Sequence, residues 1–276
     1  MAKSKKQPWR LQELSLKDVR DTEFEAAILP FGATEPHNLH LPYGTDTYEI
    51  VSICDRACAW AWKKGARVAL LPQIPFGANQ NTLGFPMTIN LDQAVLDEIV
   101  AATCESLERH DVFKLVVANG HGGNQFQPGI RSLHGRSPVF VCLVNFYQMM
   151  ADVGAKLFSE SGDHADEMET SLMLALEPEL VELKAADDGA VYPSRFEAVR
   201  RKWAWHPRQW DLATKNSGVG DPRKATAEKG AKYLKTSEER FGSFLVELAE
   251  SELDADFPFD RRKAAPPGGE AGGGHA

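Results

Sequence analysis

The sequence predicts an α/β fold: a single domain built on a mostly parallel central sheet, with helices on both faces. Three observations carry the prediction. Short apolar runs recur at residues 26–31, 68–72, 115–118 and 139–144, each bounded by turn residues, as buried strands are. Helical patterns fall between them, over 48–64, closed by Gly65, and over 91–110, opened by Asn90 with Gln93 placed for a capping-box-like contact. Strand and helix therefore alternate, and 276 residues suffice to enclose one full core.

Later segments follow the same logic. Residues 165–176 read as a helix that is apolar almost all round after Ser171 and halts before Pro178, so it is expected to pack deeply. Residues 195–221 show weak periodicity and contain Trp203, Trp205, Trp210 and a Gly-Val-Gly turn, which reads as a long surface excursion. Its tryptophans either line a substrate mouth or bury themselves in a core or subunit interface. Its arginines Arg195, Arg200 and Arg201 either hold an anionic substrate or form a solvated charge run. A helical pattern returns over 225–253. The expected organisation is a domain over 9–256 between disordered stretches at 1–8 and 257–276, the latter rich in Pro, Gly and Ala.

Composition narrows the function. Hydrophobic residues at 43% and charged residues at 25% argue against a disordered or membrane-embedded body. A formal net charge of −8 repels nucleic-acid phosphates, and basic residues gather only briefly at Arg200, Arg201 and Lys202. Neither nucleic acid nor membrane is an expected partner. No apolar stretch follows Lys3, Lys5 and Lys6 to form a signal peptide. Cys54, Cys58, Cys104 and Cys142 lack a metal-finger spacing and read as reduced, so a cytoplasmic location is expected.

Parallel sheets place ligands at the carboxyl ends of their strands, and two strand ends here are rich in chemistry. After the first strand come Glu35-Pro36-His37, His40 and Asp46. Pro36 favours an extended backbone, which brings the Glu35 and His37 side chains out on one side. Carboxylate oxygens with imidazoles suit zinc, manganese or iron(II), and a second carboxylate, Asp46, can bridge two ions. After the third strand, Asn119-Gly120-His121-Gly122-Gly123-Asn124 either makes a plain glycine turn or lets the backbone approach a ligand closely while His121 projects into the crevice. A third segment, Asp163-His164-Ala165-Asp166-Glu167-Met168-Glu169, opens a helix. Acids there are also expected from the helix dipole, but Glu169 lies farther in, where a metal would compensate a buried carboxylate.

Glu-Pro-His, His-Leu-Pro and Gly-Thr-Asp, then Asn-Gly-His-Gly-Gly-Asn, then His-Ala-Asp-Glu-Met-Glu-Thr-Ser resemble, in this order, the motifs of the creatininase family, the creatinine amidohydrolases. The resemblance spans about residues 26–248. It implies a two-metal site with Glu35, Asp46 and His121 on one ion and His37 with bridging Asp46 on the other. Creatininase takes its last carboxylate from the position of Gly123, so Glu169 is the carboxylate expected here. The resemblance further implies His164 as proton carrier, Glu167 as its catalytic acidic neighbour, His40 holding a ligand or substrate, and a homo-oligomer, hexameric in many relatives. Departures are Glu-Pro-His-Asn-Leu-His for the usual Glu-Gln-His-Gly-Pro-His, Asp166 for glycine, and no tryptophan shortly before His164.

The expected function is hydrolysis of an amide-type C–N bond, cyclic or formyl, in a small molecule. Two divalent ions, zinc foremost with manganese or iron(II) as alternatives, would hold a bridging hydroxide that attacks the carbonyl. The alternatives are hydrolysis of an oxidised cyclitol or lactone-type ring on the same metals, and a non-catalytic metal-containing protein that binds a sugar or nucleotide.

Overall fold

The computed structural model describes residues 6–160, 162–261 and 263. Among the described residues there are four strands and ten α-helices, alternating as far as β4. The order is α1 (Leu16–Arg20), β1 (Ala26–Phe31), α2 (Thr45–Lys63), β2 (Val68–Leu70), α3 (Gln93–Glu108), β3 (Lys114–Asn119), α4 (Phe126–Leu133) and β4 (Phe140–Asn145). Then follow α5 (Phe146–Met149), α6 (Ala151–Leu157), α7 (Glu167–Leu176), α8 (Glu197–Arg200), α9 (Trp210–Ala213) and α10 (Ala227–Glu250).

All described strand pairs are parallel, in the order β2-β1-β3-β4. Every residue of β1 and β3 is buried, because helices cover both faces of the sheet, and the two polar ones, Lys114 and Asn119, stand at the ends of β3 with their side chains hydrogen-bonded. Strand alternation divides the core accordingly. Ala26, Ile28, Val116 and Ala118 pack with α2, α7 and α10, through Ile53, Leu172 and Phe241 among others. Ala27, Leu29, Leu115 and Val117 face the other way, toward Leu96 and Val100 of α3 and Phe126 of α4. The predicted fold class is the one observed.

Some local expectations shift. Helix α3 starts at Gln93 with Asp92 as its uncapped N-cap, and the capping-box contact with Asn90 is absent. Asn90 instead accepts the Asn79 N–H at 2.7 Å, so pairing with a neighbouring loop takes the place of capping. The expected disordered stretches lie mostly outside the described residues. Their described parts touch the body: the Gln7 N–H donates to Glu13, and Phe257 packs edge-on against Phe140. Among the described residues, no helix is long and apolar enough to cross a membrane.

The chain passes from β1 to β2 on one side and then to β3 on the other, so the order reverses between β1 and β3. Loops leaving two such neighbours diverge and open a crevice at their carboxyl ends. Glu35 and His37 follow β1, and His121 follows β3.

Candidate metal centre

Four regions supply the crevice. The loop after β1 brings Glu35 and His37, and the first turn of α2 brings Asp46 down between the strand ends. Gly120 makes that approach possible: a Cβ there would lie 2.7 Å from Ile50 Cβ and 2.9 Å from the Asp46 carbonyl oxygen. The turn after β3 supplies His121. From α7 comes Glu169, whose carboxylate accepts the Ala165 N–H, with Ala165 held at φ 50°. The left-handed backbone at a non-glycine residue is a strained conformation, and here it aims an N–H at a site carboxylate.

Glu35, His37, Asp46, His121, His164 and Glu169 converge and are all buried. Their donor atoms form overlapping triads: Glu35 with Asp46 and His121, His37 with Asp46 and Glu169, and Glu35 with His37 and His164. His121 Nδ1 lies 3.0 Å from Glu35 Oε1 and 3.5 Å from Asp46 Oδ2. His37 Nε2 lies 3.4 Å from Asp46 Oδ1 and 4.0 Å from Glu169 Oε2. Asp46 thus faces both histidines, one through each oxygen.

Backbone carbonyls orient the rings. A carbonyl oxygen only accepts, so His37 Nδ1–H donates to Glu35 O at 3.1 Å and His121 Nε2–H to Ala78 O at 3.3 Å. In each ring the lone pair that remains points at carboxylates, the arrangement in which an imidazole binds a metal. His37 Nε2 and Asp46 Oδ2 are buried with no hydrogen-bond partner. Unpartnered buried polar atoms are costly, and a cation between them removes that cost. The donor set therefore fits divalent metal.

His164 differs. Its Nε2–H donates to Pro36 O at 2.8 Å, its Nδ1 lies 3.8 Å from Glu35 Oε1, and its ring centroid lies 4.1 Å from that of His37, the planes tilted by 35°. Burial and the neighbouring His37 push it down to about 4, so it is neutral at pH 7 with its lone pair on Nδ1.

Glu167, expected beside His164 as a catalytic acid, is placed elsewhere. One oxygen accepts the Ser159 and Glu160 N–H groups, each at 2.8 Å, and the other pairs with Lys229 of α10. Burial alone would raise its pKa, but Lys229 and these N–H groups hold it below the usual range, so it stays ionised. Asp166 caps α7 by accepting the Met168 and Glu169 N–H groups. His40 Nε2 meets Thr170 Oγ1 at 2.8 Å and so braces the helix beside Glu169. No side chain fits at Gly123, where a Cβ would stand 2.3 Å from His121 Nε2 and 2.4 Å from Ala78 O.

Glu35, Asp46, His121, His164 and Glu169 line a cavity of about 90 Å³, walled also by Asn79, Thr82, Gly122, Arg208 and Trp210. Trp210 is buried and meets His164 edge-on at 4.8 Å, whereas Trp203 and Trp205 are exposed. Arg195, Arg200 and Arg201 do not line it. Sequence reasoning missed Thr82, whose hydroxyl donates to Glu35 Oε2 at 2.8 Å, and Arg208. It also missed Glu49, fully buried with neither oxygen bonded. Glu49 lies three residues after Asp46 on the buried face of α2, a spacing that marks it.

The creatininase family model, described as creatinine amidohydrolase, matches residues 12–245. Creatinine amidohydrolase of Pseudomonas putida is 31% identical over 179 residues, covering 58% of this chain and 68% of that protein. The 3-dehydro-scyllo-inosose hydrolase of Thermotoga maritima is 29% identical over 192 residues, covering 64% of this chain and 59% of its own length. A solved structure from Bacteroides fragilis, provisionally named a creatinine amidohydrolase, is 38% identical with a TM-score of 0.85, covering 91% of this chain and 100% of its own.

Proposed function

Since this chain is a member of the creatininase family and hence a hydrolase, we propose that it uses two divalent metal ions to open an amide-type C–N bond, cyclic or formyl, in a small molecule. One observation carries the reading: the triads Glu35–Asp46–His121 and His37–Asp46–Glu169 share Asp46, the carboxylate with an oxygen for each. Zinc in both triads, or manganese or iron(II), would polarise a substrate carbonyl and lower the pKa of water to about 7.

The chain's own residues do the rest. Burial raises the pKa of Glu35, but His121 and His37 outweigh it, and the carboxyl stays ionised. Thr82 fixes its second oxygen. His164, neutral with its lone pair on Nδ1, takes a proton at that atom and returns it to the leaving nitrogen. Glu167 acts indirectly, tying the loop at Ser159 and Glu160 to α10. The small cavity favours a compact substrate. The free, buried Cys54, Cys58 and Cys104 accord with the reducing cytoplasm. A homo-oligomer remains part of the reading. Likeness to the inosose hydrolase favours one second reading, an oxidised cyclitol or lactone-type ring as substrate on the same metals.

Metal analysis together with assays on formamides, lactams and lactones tests this. Two ions per chain and turnover of a formamide or lactam are expected. Asp46→Ala should empty both triads. His164→Asn should keep the metals and lower turnover by about 10²–10⁴-fold, the usual contribution of acid–base help. Metal loss from His164→Asn would make His164 a ligand, and turnover of lactones alone would favour the second reading. Two bound ions with no turnover anywhere would point to a binding protein.

A further inference from the structure

Arg208 is the cation on the cavity wall that the hydrolytic machinery leaves unused. Its guanidinium lies 4.8 Å from the Trp210 ring centroid, and Trp210 in turn packs on His164, so Arg208 stands one ring beyond the proton carrier. A stacked, planar guanidinium is oriented in advance, and little freedom remains to be lost when it binds. Its one polar partner among the described residues is Asp163, to which a single nitrogen donates at 2.7 Å. Both side chains of that pair are about half exposed, at 52% and 56%. Such pairs contribute little to stability and exchange readily. The rest of the donor fork is available, and Asp163 occupies a place that another carboxylate can take. Beside it the buried Trp210 Nε1–H has no acceptor.

The charge around this point also favours an anion. Two divalent cations against Glu35, Asp46, Glu169 and the hydroxide of the hydrolytic reading would leave the metal end of the cavity neutral rather than negative, so the positive charge of Arg208 is not cancelled there.

We propose that Arg208 makes this enzyme selective for substrates that carry an anionic group, a carboxylate in particular, a few bonds from the scissile amide. The anionic group displaces Asp163 and binds the guanidinium while the amide carbonyl lies among Glu35, Asp46, His121 and Glu169. The substrate class rests on the hydrolase reading, but recognition by Arg208 does not require turnover.

The test compares N-formylglycine with its neutral isostere N-formylglycinamide, on the metal-loaded full chain, by calorimetric binding and by hydrolysis. Charge-assisted recognition should favour the acid about 10–100-fold in the native protein. Arg208→Gln should collapse that ratio toward unity, Arg208→Lys should retain part of it, and Asp163→Asn should enlarge it by removing the competitor. A native protein that binds the two alike, or binds neither, overturns the proposal. So does an Arg208→Gln variant that keeps the native ratio, because the metals would then account for the preference. Charge-selective binding without hydrolysis counts against the amide reading and leaves Arg208 standing. Hydrolysis with a ratio indifferent to Arg208 does the reverse.

Discussion

Without bound cations, Glu169 keeps its proton at neutral pH: burial, with Asp166 and Asp46 adding negative charge nearby, pushes it up to about 8 against the opposing pull of His37. The two histidines behave likewise for the opposite reason. Burial lowers the pKa of each, but carboxylates outweigh it, chiefly Asp46 for His37, raised to about 10, and Glu35 for His121, raised to about 9. Protons thus stand where metals would. Ligands must shed protons to bind metal, so loading at pH 7 should release a proton from each of Glu169, His37 and His121. Calorimetric titration with zinc in buffers of different ionisation enthalpy measures that release. Loading with no proton release would mean the ions bind elsewhere.

At the scale of elements, the site depends on how closely the start of α2 approaches the end of β3. Gly120→Ala inserts a methyl group 2.7 Å from Ile50 Cβ, in a well-packed contact, which should cost about 1–3 kcal/mol and lift Asp46 from its position. A lowered denaturation midpoint together with weaker metal binding is the expected result; unchanged metal affinity would show that Asp46 is placed by other contacts. This approach also separates what the sequence discloses from what it conceals. Strand β1 runs from Ala26 to Phe31, as its apolar run predicts, because a strand buried on both faces has no polar position to blur its ends. Glu35, His37, Asp46 and His121 were legible because strand ends in a parallel sheet are where donors collect, and Glu169 because a carboxylate is conspicuous on an apolar helix. Thr82 and Arg208 had no such signal. Thr82 ends a single 3-10 turn and Arg208 lies in the loop before α9, and only tertiary placement brings them to the cavity. The cap of α3 was misread for a related reason: a local rule assigned Asn90 to the helix, whereas the loop at Asn79, 11 residues earlier, claims its side chain.

For the whole molecule, the buried charges make stability depend on pH in a direction that metal should change. Carboxyls raised in the fold, Glu49 and Glu169 with Asp166 at about 6, stabilise the folded state while protonated and cease to do so as pH climbs through their folded values. His37 and His121, also raised, contribute fully below about 6.5 and lose that contribution by about 9 to 10. His164 and His40 run oppositely. Both are lowered to about 4, by burial first and His37 second, so their cost is felt in acid and is gone above about 6.5. Between about pH 6.5 and 9 every one of these terms that still changes has the same sign, and the stability of the metal-free protein should fall steadily. Cations held by the two triads would replace those protons, and because they would bind the folded state across the ends of β1 and β3 and the starts of α2 and α7 at once, loading should raise stability and flatten the slope. Chemical denaturation at stepped pH, with chelator and with zinc, checks both parts. A metal-free protein whose stability is level or rising across that window would mean that the buried acids and imidazoles do not share protons as their contacts indicate.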